Sequence, residues 1–171
     1  MKKIYLLLVL AVATLIVSCE GDPGPPGPQG EPGINILGQV FEVTVDLNAN
    51  TNFEQLVTIP SNVEVFESDV ILVYWLEAVS PNGDLDIWSP LPQTIYLQDG
   101  SFQYTFNHTF VDVLLFLQGD IDLNTLGSDF TNDQVFRIAV VPSEFATDGL
   151  SMADLLEQLN IETENITTIG N

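Results

Sequence analysis

Asp120, Asp122 and Asn124 stand at alternate positions, the spacing at which a loop offers successive oxygen ligands to a hard cation. Calcium is the ion such a set would take. The match to an EF-hand loop stops there, because its sixth position is Thr125 in place of glycine and its twelfth is Thr131 in place of glutamate. A calcium site and an ordinary polar loop both stay open at this stage. His108 is the single histidine, so a two-histidine zinc site within one chain is impossible. It alternates with Phe102, Tyr104, Phe106 and Phe110, which predicts a partly buried structural imidazole on an aromatic face. Neither a cysteine partner nor a nucleophile-elbow motif accompanies it. The 24 acids supply many carboxylate pairs, but glycoside cleavage depends on a separation in space, and no spacing singles out a pair. The expectation is therefore a non-enzymatic binding or structural domain, with a carbohydrate- or calcium-dependent adhesion module as the alternative and a small glycan-active enzyme as the third reading. Trp75, Trp88, Tyr74 and Tyr96 raise a further possibility, an aromatic platform on which a sugar ring could stack. Trp75 lies inside an apolar run and reads as core; Trp88, beside Pro90 and Pro92, and Tyr96 are the better candidates for exposure, with core burial as the competing reading.

Charge narrows the partners. Cutting after Ser18 would remove Lys2 and Lys3 and leave Arg137 as the only fixed cation against 24 acids, a formal charge of −23. A nucleic-acid surface needs clustered lysine and arginine, so that class is excluded. Docking of the folded domain on anionic lipid is disfavoured for the same reason. Self-repulsion that keeps the protein soluble and a specific acidic surface both account for the charge. Arg137 alternates with Val135, Ala139 and Val141, which predicts that the lone cation is drawn against a sheet and paired with a carboxylate.

The N-terminus carries an address. Lys2 and Lys3 precede an apolar stretch from Ile4 to Val17, broken only by Thr14, and Ser18 precedes Cys19, the only cysteine. Fourteen residues at about 1.5 Å each make roughly 21 Å of helix, short of the roughly 30 Å hydrocarbon core of a bilayer. A permanent span is not expected. Ile16, Val17, Ser18 and Cys19 resemble the lipobox of bacterial lipoprotein precursors. That resemblance implies removal of residues 1–18, diacylglyceryl transfer to the Cys19 thiol and acylation of the new amino terminus. Each buried methylene contributes about 0.8 kcal/mol, and two or more chains give stable anchoring.

Behind Cys19 and Glu20 come Gly21-Asp22-Pro23, Gly24-Pro25-Pro26, Gly27-Pro28-Gln29 and Gly30-Glu31-Pro32, with Gly33 opening a further triplet that fails at position 36. Glycine at every third residue is what a triple helix requires, and the prolines pre-set polyproline geometry. The segment resembles the stalks of bacterial collagen-like lipoproteins. So few triplets form few interchain bonds against the ordering entropy of three chains, which favours a monomer with a stiff spacer over a trimer. At about 3.1 Å per residue, residues 20–33 would reach roughly 43 Å. The resemblance implies a cell-envelope protein held at a membrane through its lipid, with the outer membrane as the expected site. Its domain would face the surface or the periplasm, toward an envelope or extracellular partner.

The remaining residues, 34–171, read as one acidic domain with an all-β fold. Phe41, Val43, Val45 and Leu47 alternate with Glu42, Thr44 and Asp46, the mark of a half-buried strand. Further strands are predicted at 53–59, 94–97, 102–106, 111–117 and 135–141. The unbroken apolar run from Val70 to Leu76 predicts a strand at the centre of a sheet. Asn82-Gly83 and Asp99-Gly100 are turn dipeptides, the second joining a hairpin, and Pro90 and Pro92 belong at an edge or in a loop. The sum is an antiparallel β-sandwich, Ig-like or jelly-roll-like. Ser151 and Asp154 resemble a capping box, and Met152, Leu155, Leu156 and Leu159 share one face of a short C-terminal helix that should pack on the sandwich.

Overall fold

Alternation in the first strand sets the plan of the whole molecule. In β1 (Gln39–Val45), Phe41, Val43 and Val45 are buried on one side while Glu42 and Thr44 take the other. A strand with one apolar face must cover it with another layer. The computed structural model describes residues 38–83, 85–143, 145–146 and 150–169. The predicted export signal, Cys19 and the predicted Gly-X-Y stalk lie outside the described residues, which belong to one compact unit spanning Asn35–Asn171.

The strands that follow are β2 (Glu54–Thr58), β3 (Asp69–Val79), β4 (Asp86–Pro90), β5 (Gln93–Leu97), β6 (Gly100–His108), β7 (Asp112–Gly119), β8 (Gln134–Pro142) and β9 (Thr167–Ile169). Two short helices interrupt them, α1 (Ser128–Thr131) and α2 (Met152–Gln158). The strands form a five-stranded sheet in the order β4-β3-β8-β1-β9 and a four-stranded sheet in the order β2-β7-β6-β5. Neighbours run antiparallel except β1 and β9, which are parallel. The fold is thus the antiparallel β-sandwich with a short helix that the sequence predicts.

Between the sheets lies an aromatic-rich core. Trp75 stacks on Tyr104 with ring centroids 4.5 Å apart, and Phe102 and Phe136 meet Tyr104 edge-on. Such offset and edge contacts add about 0.5–1.5 kcal/mol each to area burial. The polar atoms these rings bring inside need partners, and Gln134 supplies them. Its Oε1 accepts from Trp75 Nε1 at 3.0 Å, while its Nε2 donates to the carbonyls of Asp129 and Asn132. The Tyr104 hydroxyl donates to the Phe130 carbonyl at 2.7 Å, and burial raises its pKa. Among the described residues no buried side-chain nitrogen or oxygen lacks a partner.

A second apolar layer covers the outer face of the five-stranded sheet. Ser151 Oγ accepts from the Asp154 amide, starting α2, and Met152, Leu155, Leu156 and the C-cap Leu159 pack with Val40, Tyr74, Ala139 and Val141. The helical face read from the sequence is the buried face. Among the described residues no helix is long and apolar enough to cross a membrane.

Three expectations need correction. The centre of the five-stranded sheet is β8, not the 70–76 run; β3 is interior but lies one place out, between β4 and β8. His108 ends β6 and is exposed, stacked against Phe106 at 6.2 Å, because the aromatic alternation leaves the core after Phe106. Phe110 lies beyond the strand and is 58% exposed. The predicted hairpin does form: Leu97 pairs with Gly100, whose φ of 141° only glycine adopts without strain. Pro90 closes an edge strand and Pro92 follows it in the link to β5, as their missing N–H groups require.

Candidate functional site

The candidate residues fall on opposite outsides of the sandwich. Trp88 is on β4, in the five-stranded sheet, where it is half-buried against the layer beneath α2. The Arg137 guanidinium carbon sits 4.1 Å from its ring centroid. Register explains the rest of this cluster: Glu42 on β1 is directly opposite Arg137 on β8, and Glu42 Oε2 accepts from Arg137 Nε at 3.1 Å. Asp86 stands 3.8 Å from Arg137 Nη2. Arg137 is 6% exposed, so the lone cation is drawn against the sheet and paired as its alternation predicts. Trp88 is thereby committed to holding a buried charge.

Tyr96 is on β5, in the other sheet, and is 82% exposed. Ile95 beside it packs into the inter-sheet core, so period-two alternation turns Tyr96 outward. Trp88 and Tyr96 therefore do not make one platform; the structure separates them by a full sandwich.

Around Tyr96 the register assembles a group that spacing along the chain does not reveal. Thr94 on β5 pairs with Gln103 on β6, which pairs with Gln118 on β7, placing three polar side chains in one line across three strands. Gln118 Nε2 donates to Gln103 Oε1 at 2.9 Å, and Gln103 Nε2 donates to Thr94 Oγ1 at 3.0 Å. The hydrogen bonds all run one way, which polarises the line and fixes both amides in one orientation. The next row begins with Tyr96 opposite Ser101 and ends at Asp120, whose amide donates to the Ser101 carbonyl. Beside the Tyr96–Ser101 pair lies a shallow concavity of about 380 Å³ with Thr94, Ser101, Gln103, Gln118 and Asp120 on its walls.

Asp120 and Asp122 make their hydrogen bonds to different partners. Asp120 Oδ1 accepts from the Ser101 amide at 2.6 Å and from Ser101 Oγ at 3.3 Å, and these bonds hold its carboxyl below the usual range. Asp122 Oδ1 instead accepts from Asn124 Nδ2 and the Asn124 amide, capping the 3-10 turn Leu123–Thr125, and its pKa is lowered for that reason. Among the described residues no three histidine, cysteine or acidic side chains are placed to hold a metal ion.

A larger hollow of about 500 Å³ opens where β4 passes to β5, lined by Val70, Leu72, Leu91, Pro92 and Phe106. The side chains that line it are apolar apart from Tyr74, whose hydroxyl already donates to the Leu150 carbonyl at 2.9 Å. The shallow polar groove offers more directional chemistry. Of its residues the sequence pointed to Asp120, and to Tyr96 in the adjoining pair with Ser101, and missed Thr94, Gln103 and Gln118. Their signal is glutamine and threonine at the outward positions of alternating strands, which becomes legible only with the register.

These features define an antiparallel β-sandwich with one outer face covered and, among the described residues, one open. No protein-family model, curated protein or solved structure matches the chain.

Proposed function

We propose that this chain is a lipid-anchored protein of a bacterial cell envelope, in which a non-enzymatic sandwich domain is displayed on a short stalk for binding or as a structural surface component. The observation that carries this reading is Cys19, the sole cysteine, directly behind Ile16, Val17 and Ser18 at the end of a short apolar run with a charged start. A lone thiol can form no intrachain disulfide, and acylation gives its export a purpose. The strict glycine period that follows supports a stiff spacer, and the outward polar row Thr94, Gln103 and Gln118 on the four-stranded sheet supports display. The monomer is the proposed state.

Metabolic labelling with an acyl-chain probe, followed by fractionation, tests the anchor. The full chain should take the label and sediment with membranes. Cys19→Ala should lose the label and remain as the uncleaved precursor, because lipid attachment precedes cleavage in this class of precursor. Unlabelled wild type, or a Cys19→Ala chain processed like wild type, overturns the reading. Protease treatment of intact cells then assigns the face: loss of the sandwich means surface display, and protection means the periplasm.

A further inference from the structure

We propose that the groove beside Tyr96 on the four-stranded sheet is a binding site for a neutral glycan. This deepens the display reading above by naming what the displayed face takes, and it rests on that reading only for location.

Three observations converge on this ligand class. The first is Tyr96, which is 82% exposed on an outward position of an edge strand. A phenol left so open offers an apolar face for the C–H side of a sugar ring and a hydroxyl that can donate or accept. The second is the polarised line from Gln118 through Gln103 to Thr94. Each amide has committed one N–H to its neighbour and keeps a second. Gln118 Oε1 at one end is an acceptor and the Thr94 hydroxyl hydrogen at the other is a donor, so the line receives sugar hydroxyls in either sense. Sugar hydroxyls need this mixture, because each donates once and accepts as well. The orientation is set before the ligand arrives, which removes an ordering cost from binding.

The third observation is charge. Asp120 is the charged side chain on the groove wall, and it is held ionised by the Ser101 amide and hydroxyl. Its Oδ1 is engaged there, while the other oxygen has lone pairs for ligand hydroxyls. Arg137, the sole cation of residues 19–171, is buried on the opposite sheet. A phosphate, sulfate, sialic acid or uronic acid would meet a carboxylate with no cation to offset it. Neutral sugars meet only donors, acceptors and a ring. The groove is open and shallow, which suits an extended oligosaccharide better than an enclosed small molecule.

The full chain held in lipid nanodiscs tests this by calorimetric titration with neutral hexasaccharides of β-1,4-glucan, β-1,3-glucan, β-1,4-mannan, β-1,4-xylan and α-1,4-glucan, and with oligogalacturonate as the anionic control. At least one neutral hexasaccharide should bind with a dissociation constant in the millimolar range or tighter, and oligogalacturonate should bind at least about tenfold more weakly. Tyr96→Ala and Gln103→Ala should each weaken that binding about tenfold while leaving the circular dichroism spectrum and melting temperature unchanged. Silence of all five neutral probes, preference for the anionic one, or binding indifferent to both substitutions overturns the proposal. None of these outcomes touches the Cys19 test, so failure of the glycan site and failure of the anchor are read separately.

Discussion

The two sheets put their outward faces to opposite uses. On the five-stranded sheet, α2 closes over Val40, Tyr74, Ala139 and Val141, and the row Glu42, Arg137, Tyr74 lies across β1, β8 and β3 with Trp88 over the cation. On the four-stranded sheet, Thr94, Gln103 and Gln118 form a comparable row across three strands, but nothing among the described residues is packed over it as α2 is over the other. Both rows are hydrogen-bonded and both include or adjoin an aromatic ring. The difference is the cover. On the covered sheet the buried Arg137 charge must be paired, and the Trp88 ring is spent on stabilising it. On the open face the same ingredients are neutral and accessible, which makes them available to a ligand.

Substitutions should separate the faces by their cost in stability. The largest effect is expected at Arg137→Ala, which leaves Glu42 and Asp86 without their cation and opens a gap beneath Trp88; urea unfolding should show a loss of about 3 kcal/mol. A change within about 0.5 kcal/mol would make the pair an ordinary surface contact and erase the contrast. Leu155→Ala should cost a comparable amount, about 2–4 kcal/mol, by emptying the seam between α2 and the sheet. If it is instead nearly neutral, α2 is not a cover.

The covered face should also respond to alkali. Burial, with the Asp154 charge adding to it, raises Tyr74 from its ordinary 10.0 to about 12. The folded state therefore holds this proton more tightly than the unfolded chain does, so the contribution is complete below pH 10 and is lost as pH rises toward 12. Thermal melts of Tyr74→Phe should lose less stability over that interval than wild type, even though the hydrogen bond to the Leu150 carbonyl is gone. On the open side the sign is opposite. Asp120 and Asp122 are lowered by their hydrogen bonds, so they favour the folded state above the ordinary carboxylate value of 3.8 and lose that effect as pH falls below it. Both are fully exposed, and Asp120→Asn should change the acid limb of the melting profile only slightly. The smallest effects are expected at Tyr96→Ala and Gln103→Ala, each within about 0.5 kcal/mol. A large loss there would mean that the open row holds the sandwich together and has no side chains to spare for a ligand.

Local pattern carried much of this structure. Period-two alternation is enough to place β1 and to send Arg137 to the same side as Ala139 and Val141, because a strand has only two faces. Asp99-Gly100 marks its hairpin because few residues accept that backbone, and Ser151 with Leu155, Leu156 and Leu159 gives a capped helix with its buried stripe. The parts that escaped are the ones that join distant residues. The three-residue β9 pairs in parallel with β1, more than a hundred residues earlier in the chain, and is too short to announce itself. His108 kept the alternation of its strand and still left the core, since alternation gives a direction but not where the opposing layer ends.

The candidate site divides along the same line. Sequence alone determined the lipobox-like and Gly-X-Y patterns of residues 1–33, the scarcity of cations and the aromatic and carboxylate candidates, because those are properties of residue type and of neighbours in the chain. Tertiary structure decided that Trp88 is a partner of Arg137 while Tyr96 is open, and that Asp120 bonds Ser101 while Asp122 bonds Asn124. It also decided that Gln118, Gln103 and Thr94 form one line. The physical reason is that cross-strand neighbours about 5 Å apart are set by register and by which sheet a strand enters, and neither is a property of spacing along the chain.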